Sequence, residues 1–180
     1  DKLDPNNDKD REIIEKIATK LTEHFADGPV PGKNPEERLA FARACADAAV
    51  ALGALDRWKD AIRIMNRTIA IIREHEWEGS PDLVRHFAHL GDWRGHLGDP
   101  NGAIEEYRNA IRSNNAQANP DVVEGIRLRN IITTQHRLLG RYSANIPETA
   151  AQIKELEQLA QAPDAKAARS ALPEAYESHA

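Results

Sequence analysis

The 180 residues carry 29% charged side chains and a formal net charge of −5, a balance that argues against nonspecific nucleic-acid binding, because that needs a basic face. No run approaches the roughly 18 consecutive apolar residues of a membrane-crossing helix. The single cysteine, Cys45, excludes an intrachain disulfide and a cysteine-based zinc site, and aromatics at 5% leave the packing to Ala, Leu and Ile, which suits closely packed helices better than a sheet.

A chain of this length forms one domain or a short repeat array, burying roughly 70% of the surface that its unfolded form exposes. It opens on Asp1 without a signal-peptide pattern, as an excised or processed piece of a cytoplasmic protein would. Residues 1–9 read as a polar leader. From Asp10 to about Ala26 the apolar residues Ile13, Ile14, Ile17, Ala18, Leu21 and Phe25 recur at three- and four-residue steps, the stripe of an amphipathic helix. Gly28-Pro29-Val30-Pro31-Gly32 breaks it. With neither helix formers nor apolar anchors, Gly28 to Lys33 is expected to be a flexible connector.

Asn34-Pro35-Glu36-Glu37, Ser80-Pro81-Asp82 and Asn119-Pro120-Asp121 each set a capping side chain before a proline and an acid. The cap oxygen accepts an orphan backbone N–H, the proline loses nothing at the first helical position, and the acid complements the positive helix end. Asp99-Pro100 repeats the first two elements, and Ile146-Pro147-Glu148 keeps the proline and acid. Helices are thus predicted over about 35–54, 57–77, 81–97, 100–115, 120–139 and 147–162. Residues 163–180, with Pro163 and Pro173 around an Ala-rich stretch, form a tail. No segment alternates with period two, so no strand is predicted. Cys45, inside the Ala-rich run 42–46, reads as a small buried residue.

The helix pairs repeat. Residues 58–69 align with residues 100–111, so that Ala61 and Ala103 coincide 42 positions apart, and the same step carries Gly98 to Gly140. The best-formed unit runs Leu90-Gly91, then Gly98-Asp99, then Ala103-Ile104 with Tyr107 and Ala110 following. Gly91 and Ala103 are expected to face each other, because small residues let two helices approach closely. These residues resemble the tetratricopeptide repeat, over roughly residues 36–160 and best over 84–112. The chain departs from that family in length, with about 42 residues per unit against the usual 34 or so. It departs also at a position often held by Trp, filled here by Cys45, Phe87 and Arg129.

The resemblance implies an all-α, right-handed superhelical stack of about three helix hairpins (34–79, 80–118 and 119–162), with an extra N-terminal helix before the linker at 28–33 and a C-terminal capping helix. It implies a non-catalytic scaffold that binds a protein or peptide, with the first helix of each hairpin lining a concave groove. Carried over position by position, the groove comprises Arg43, Ala46 and Val50. It continues with Arg85, Ala88, His89, Asp92 and His96, and then Arg127, Asn130, Thr134 and Arg137. Arginine recurs at 43, 85 and 127, and guanidinium groups there suit the carboxylates of an acidic partner. An alternative is a ligand-sensing or regulatory module cut from a larger signalling protein. A lesser one is a metal- or small-molecule-binding helical protein, because His89, Asp92 and His96 share one helical face, although without the His-Glu-x-x-His signature. No nucleophile motif and no phosphate-cradling glycine loop is present, and carboxylate pairs such as Glu105-Glu106 fall on predicted outer faces. No enzyme, cofactor or resident metal is expected.

Overall fold

The computed structural model describes residues 7–32, 34–75 and 80–141, together with Thr149, Ala150, Ile153, Lys154 and Glu157. Among these residues the secondary structure is helical throughout, without a strand. Helix α1 (Asp8–Thr22) runs into one π-helical turn (Glu23–Asp27). Then follow α2 (Pro35–Gly53), α3 (Trp58–Arg73), α4 (Pro81–His96), α5 (Pro100–Asn115) and α6 (Val122–Leu138). None of the described helices is long and apolar enough to cross a membrane. Lys33, most of the expected capping helix and the tail after Gln161 lie outside the described residues.

The predicted caps explain where three helices begin. Asn34 Oδ1 accepts from Glu37 N at 2.9 Å, Ser80 Oγ from Asp82 N at 3.3 Å, and Asp99 Oδ1 from Gly102 N at 2.9 Å. The start expected at Asn119-Pro120 is displaced. The buried Asn114 side chain accepts from Asp121 N at 3.0 Å and donates to Asp121 O at 2.7 Å. That clamp holds Asp121 extended and makes it the cap, its own carboxylate accepting from Glu124 N at 3.0 Å. A side chain seven residues away overrides the local signal.

Packing follows the chain. Helix α1 lies on α3, and α2 on α3; then α3 packs on α4, α4 on α5 and α5 on α6, while α2 also touches α4. The alanine-rich α2 buries Ala42, Cys45, Ala46, Ala49 and Leu52, and α3 buries Ala61, Ile64, Met65, Thr68, Ile69 and Ile72 at three- and four-residue steps. Complete burial of an Ile or Leu side chain contributes about 1.5–3 kcal/mol, so this stripe is what holds α3 in place. Cys45 is buried as expected, and burial pushes its thiol up to about 11, away from thiolate chemistry.

Burial also recurs at a spacing of 42. Ala42, Val84 and Ile126 are buried, as are Ala48, Leu90 and Ile132, and Ala49, Gly91 and Thr133. The turns recur too. Asp56, Gly98 and Gly140 all have positive φ, at 60°, 75° and 66°. In each turn the next residue donates back across the helix end, from Arg57 N to Leu52 O, Asp99 N to Arg94 O and Arg141 N to His136 O, all at 2.9 Å. This is the left-handed helix stop that glycine favours. At the close approach of α4 and α5, the side chain that occupies the space beside Gly91 is the Tyr107 ring, which a Cβ would meet at 2.6 Å. Ala103 is fully buried nearby in sequence, on the same helix as Tyr107.

Two expectations about the N-terminal region change. Of the α1 stripe, Ile14 and Ala18 are buried, whereas Ile13 and Ile17 are exposed, because α1 meets α3 along one side only. The Pro/Gly segment is not free of anchors. Val30 packs against the core, and Arg67 of α3 donates to Phe25 O at 3.2 Å and to Gly28 O. Arg63–Asp27 at 2.7 Å, and Arg57–Glu15 from the residue before α3, add ion pairs to the same N-terminal region.

Candidate functional site

Helices α2 and α4 lie beside each other with the end of α3 at their base, and they enclose a cleft of about 370 Å³. Residues 39, 42, 43, 46, 47 and 50 of α2 share one helical face, stepping by three and four, as do 82, 85, 86 and 89 of α4. The cleft therefore mixes two kinds of wall. Leu39, Ala42, Ala46, Val50 and Ile72 make its apolar side, and Arg43, Asp47, Asp82, Arg85, His86 and His89 its polar side.

The polar groups are not equally committed. Arg85 is held by Asp82, one turn earlier on α4. Arg43 has Ala40 in the matching place and makes no hydrogen bond or ion pair with a described residue, so its guanidinium is available to an incoming carboxylate. His89 stacks on Trp93, with centroids 5.5 Å apart at 13°. Burial pushes the His86 imidazole down to about 4, against the opposing pull of the Asp82 carboxylate, so it is neutral at pH 7.

Five residues assigned to the groove from sequence, Arg43, Ala46, Val50, Arg85 and His89, line this one cleft. The remaining ones do not. Asp92 accepts a 2.6 Å hydrogen bond from the Tyr107 hydroxyl, a contact that joins α4 to α5. Burial, with that bond, holds the phenol well above its usual range. Arg127 chelates Glu124 through Nε and a terminal nitrogen, both at 2.7 Å, and this pairing raises its pKa. Arg127 senses Asp92 and Tyr107, not the cleft. His96 stacks on Trp58, with centroids 4.8 Å apart at 12°. Asn130 is half-buried, Thr134 donates to the Asn130 carbonyl at 3.0 Å, and Arg137 is exposed in the last turn of α6.

His89, Asp92 and His96 thus share a face of α4 but are drawn to three different neighbours. Among the described residues no group of three His, Cys, Asp or Glu side chains is placed to hold a metal ion. Glu106, expected on an outer face, is instead buried and accepts from Arg94 Nε at 3.1 Å and Asn109 Nδ2 at 3.1 Å. Of the cleft residues not assigned to the groove from sequence, Asp47, Asp82 and His86 lie on the same helical stepping as Arg43 and His89. No protein-family model and no curated protein matches this chain.

Proposed function

We propose that this chain is a non-catalytic binding scaffold, a tetratricopeptide-like stack of helix pairs whose α2/α4 cleft holds a segment of another protein or a peptide. The observation that carries the reading is the convergence of Arg43, Ala46, Val50, Arg85 and His89 on one cleft with an apolar side and an uncommitted guanidinium. An apolar side chain of the partner seats against Ala42, Ala46 and Ile72, and a neighbouring carboxylate meets Arg43. Arg85 contributes second, because its pairing with Asp82 is exposed and such pairs are worth only about 0–1 kcal/mol. The acidic preference rests on Arg43 more than on Arg127.

A ligand-sensing module is the second reading, favoured by the volume of the cleft, which lies in the range of small-molecule sites, about 300–1,000 Å³. Selection of displayed random peptides against the wild-type protein tests the first reading. The selected peptides should carry an acid beside an apolar residue. They should lose roughly ten- to a hundredfold in affinity on Arg43→Gln, as expected for a charge-assisted hydrogen bond. Val50→Asp, at a position 42% exposed where the fold tolerates a charge, should weaken them as well. Peptides that bind both variants as tightly as the wild type would place the binding surface elsewhere.

A further inference from the structure

A second, smaller cavity of about 140 Å³ lies away from the cleft, where the end of α3, the start of α4 and the end of α5 meet. Its polar lining is Arg73, Asn109, Arg112 and Ser113, and its apolar lining is Leu83 and Ala116. The geometry points to an oxyanion site here, sized for a single phosphoryl group, with Arg73, Arg112 and Ser113 as the donors.

Each donor is prepared in a different way. The Arg73 guanidinium lies over the Phe87 ring, 5.1 Å from its centroid, and makes no ion pair among the described residues. The ring face attracts the cation and takes up none of its N–H donors in an ion pair, which leaves them for an acceptor. Arg112 is anchored through one terminal nitrogen, which reaches Glu105 at 3.0 Å and Asn109 Oδ1, and its other two nitrogens remain. Asn109 also donates to Glu106 at 3.1 Å, so it positions Arg112 and is not itself a ligand. Ser113 is only 7% exposed, and its hydroxyl makes no hydrogen bond among the described residues although it lines the cavity. As part of the cavity lining, the hydroxyl is free to donate to a bound acceptor.

Magnitudes favour an anion. The C-terminal ends of α3 and α5 each oppose it with about half a charge, and the N-terminus of α4 offsets one of them. Two guanidinium charges outweigh the remainder even with the Glu105 carboxylate beside Arg112 counted against them. The exposed Arg112–Glu105 pair is weak enough to yield. A carboxylate would satisfy one arginine, whereas a tetrahedral oxyanion offers acceptors in three directions to two arginines and a hydroxyl. The site is particular to this part of the molecule. The residues 42 positions before Arg112 and Ser113 are Ala70 and the buried Ile71, which offer no donor side chain.

Inorganic phosphate, titrated at constant ionic strength and followed by calorimetry or ³¹P line broadening, tests the proposal on the full chain. Binding should saturate at one site. Arg73→Gln should weaken it by roughly tenfold or more, and the conservative Ser113→Ala by several-fold, each with unchanged circular dichroism. Arg43→Gln, in the α2/α4 cleft, should leave it unchanged, so this result is independent of the peptide-binding reading. Glycerol phosphate in a parallel titration separates the sources: tighter binding than phosphate assigns the site to a phosphomonoester, and weaker binding to the free ion. Absence of saturation in the wild type, or equal binding by wild type and Arg73→Gln, would overturn the site.

Discussion

The helix pairs α2/α3 and α4/α5 have the same plan and different interiors. Both turn on a residue with positive φ, both close the turn with the same 2.9 Å hydrogen bond, and both bury an alanine at the start of the second helix. Yet where the first pair has Leu52, Ile64, Ile71 and Ile72, all almost fully buried, the second has Arg94, Glu106, Ser113 and Asn114. Arg94 and Glu106 bond to each other, and Asn114 clamps the backbone that begins α6. Both pairs bury an apolar interior, but at these positions the first adds apolar burial where Arg94, Glu106 and Asn114 of the second have polar partners. The polar version carries positional information: it sets where α6 starts and leaves a donor-rich cavity beside it.

The contrast breaks most visibly at Leu52. Truncation by Leu52→Ala should lower stability by about 2–5 kcal/mol, the range for a fully buried leucine, read from the midpoint of urea denaturation. Arg94→Ala should cost less, about 1–3 kcal/mol, because Arg94 retains access to water and its loss chiefly strands the Glu106 carboxylate. A larger loss at Arg94 than at Leu52 would reverse the weight given to apolar burial over polar pairing at these positions.

A graft sharpens the same comparison. Arg94→Leu with Glu106→Ile places the side chains of the first pair in the second. Buried ion pairs exchanged for apolar residues are often neutral or stabilising, so the double variant should stay within about 1 kcal/mol of wild type while Glu106→Ile alone falls below it. If the double variant is worse than both single ones, the ion pair is specifying a geometry that apolar residues cannot reproduce.

What the sequence made legible follows this division. Capping at Asn34, Ser80 and Asp99 was readable because the cap and the N–H it accepts are two or three residues apart. The displaced start of α6 was not, because Asn114 acts from the preceding helix. Repeat position, carried over from the resemblance, names Arg43, Ala46, Val50, Arg85 and His89, and these five line one cleft. Repeat position could not show that Tyr107 claims Asp92 or that Trp58 claims His96, since those neighbours come from other helices. Glu106 was misplaced for the same reason: a glutamate beside another glutamate gives no local sign of the arginine twelve residues earlier that draws it inward.

The smallest expected effect probes the plan the two pairs share. Asp56 holds at φ 60° the position that Gly98 and Gly140 hold in the later turns. A left-handed backbone costs an L-residue about 1–2 kcal/mol, and less for aspartate, which tolerates the region. Glycine removes that strain but adds roughly 0.5–1 kcal/mol of unfolded-state entropy. Asp56→Gly should therefore change stability only slightly, between zero and about 0.5 kcal/mol in the favourable direction. The reciprocal Gly98→Ala meets no atom within 4 Å of its new Cβ, so its effect is purely conformational, a loss of about 1 kcal/mol. Thermal denaturation of both variants measures the two signs together. A clear loss of stability in Asp56→Gly would mean that the Asp56 side chain makes its own contribution to the first turn, and that the two turns are alike in backbone only.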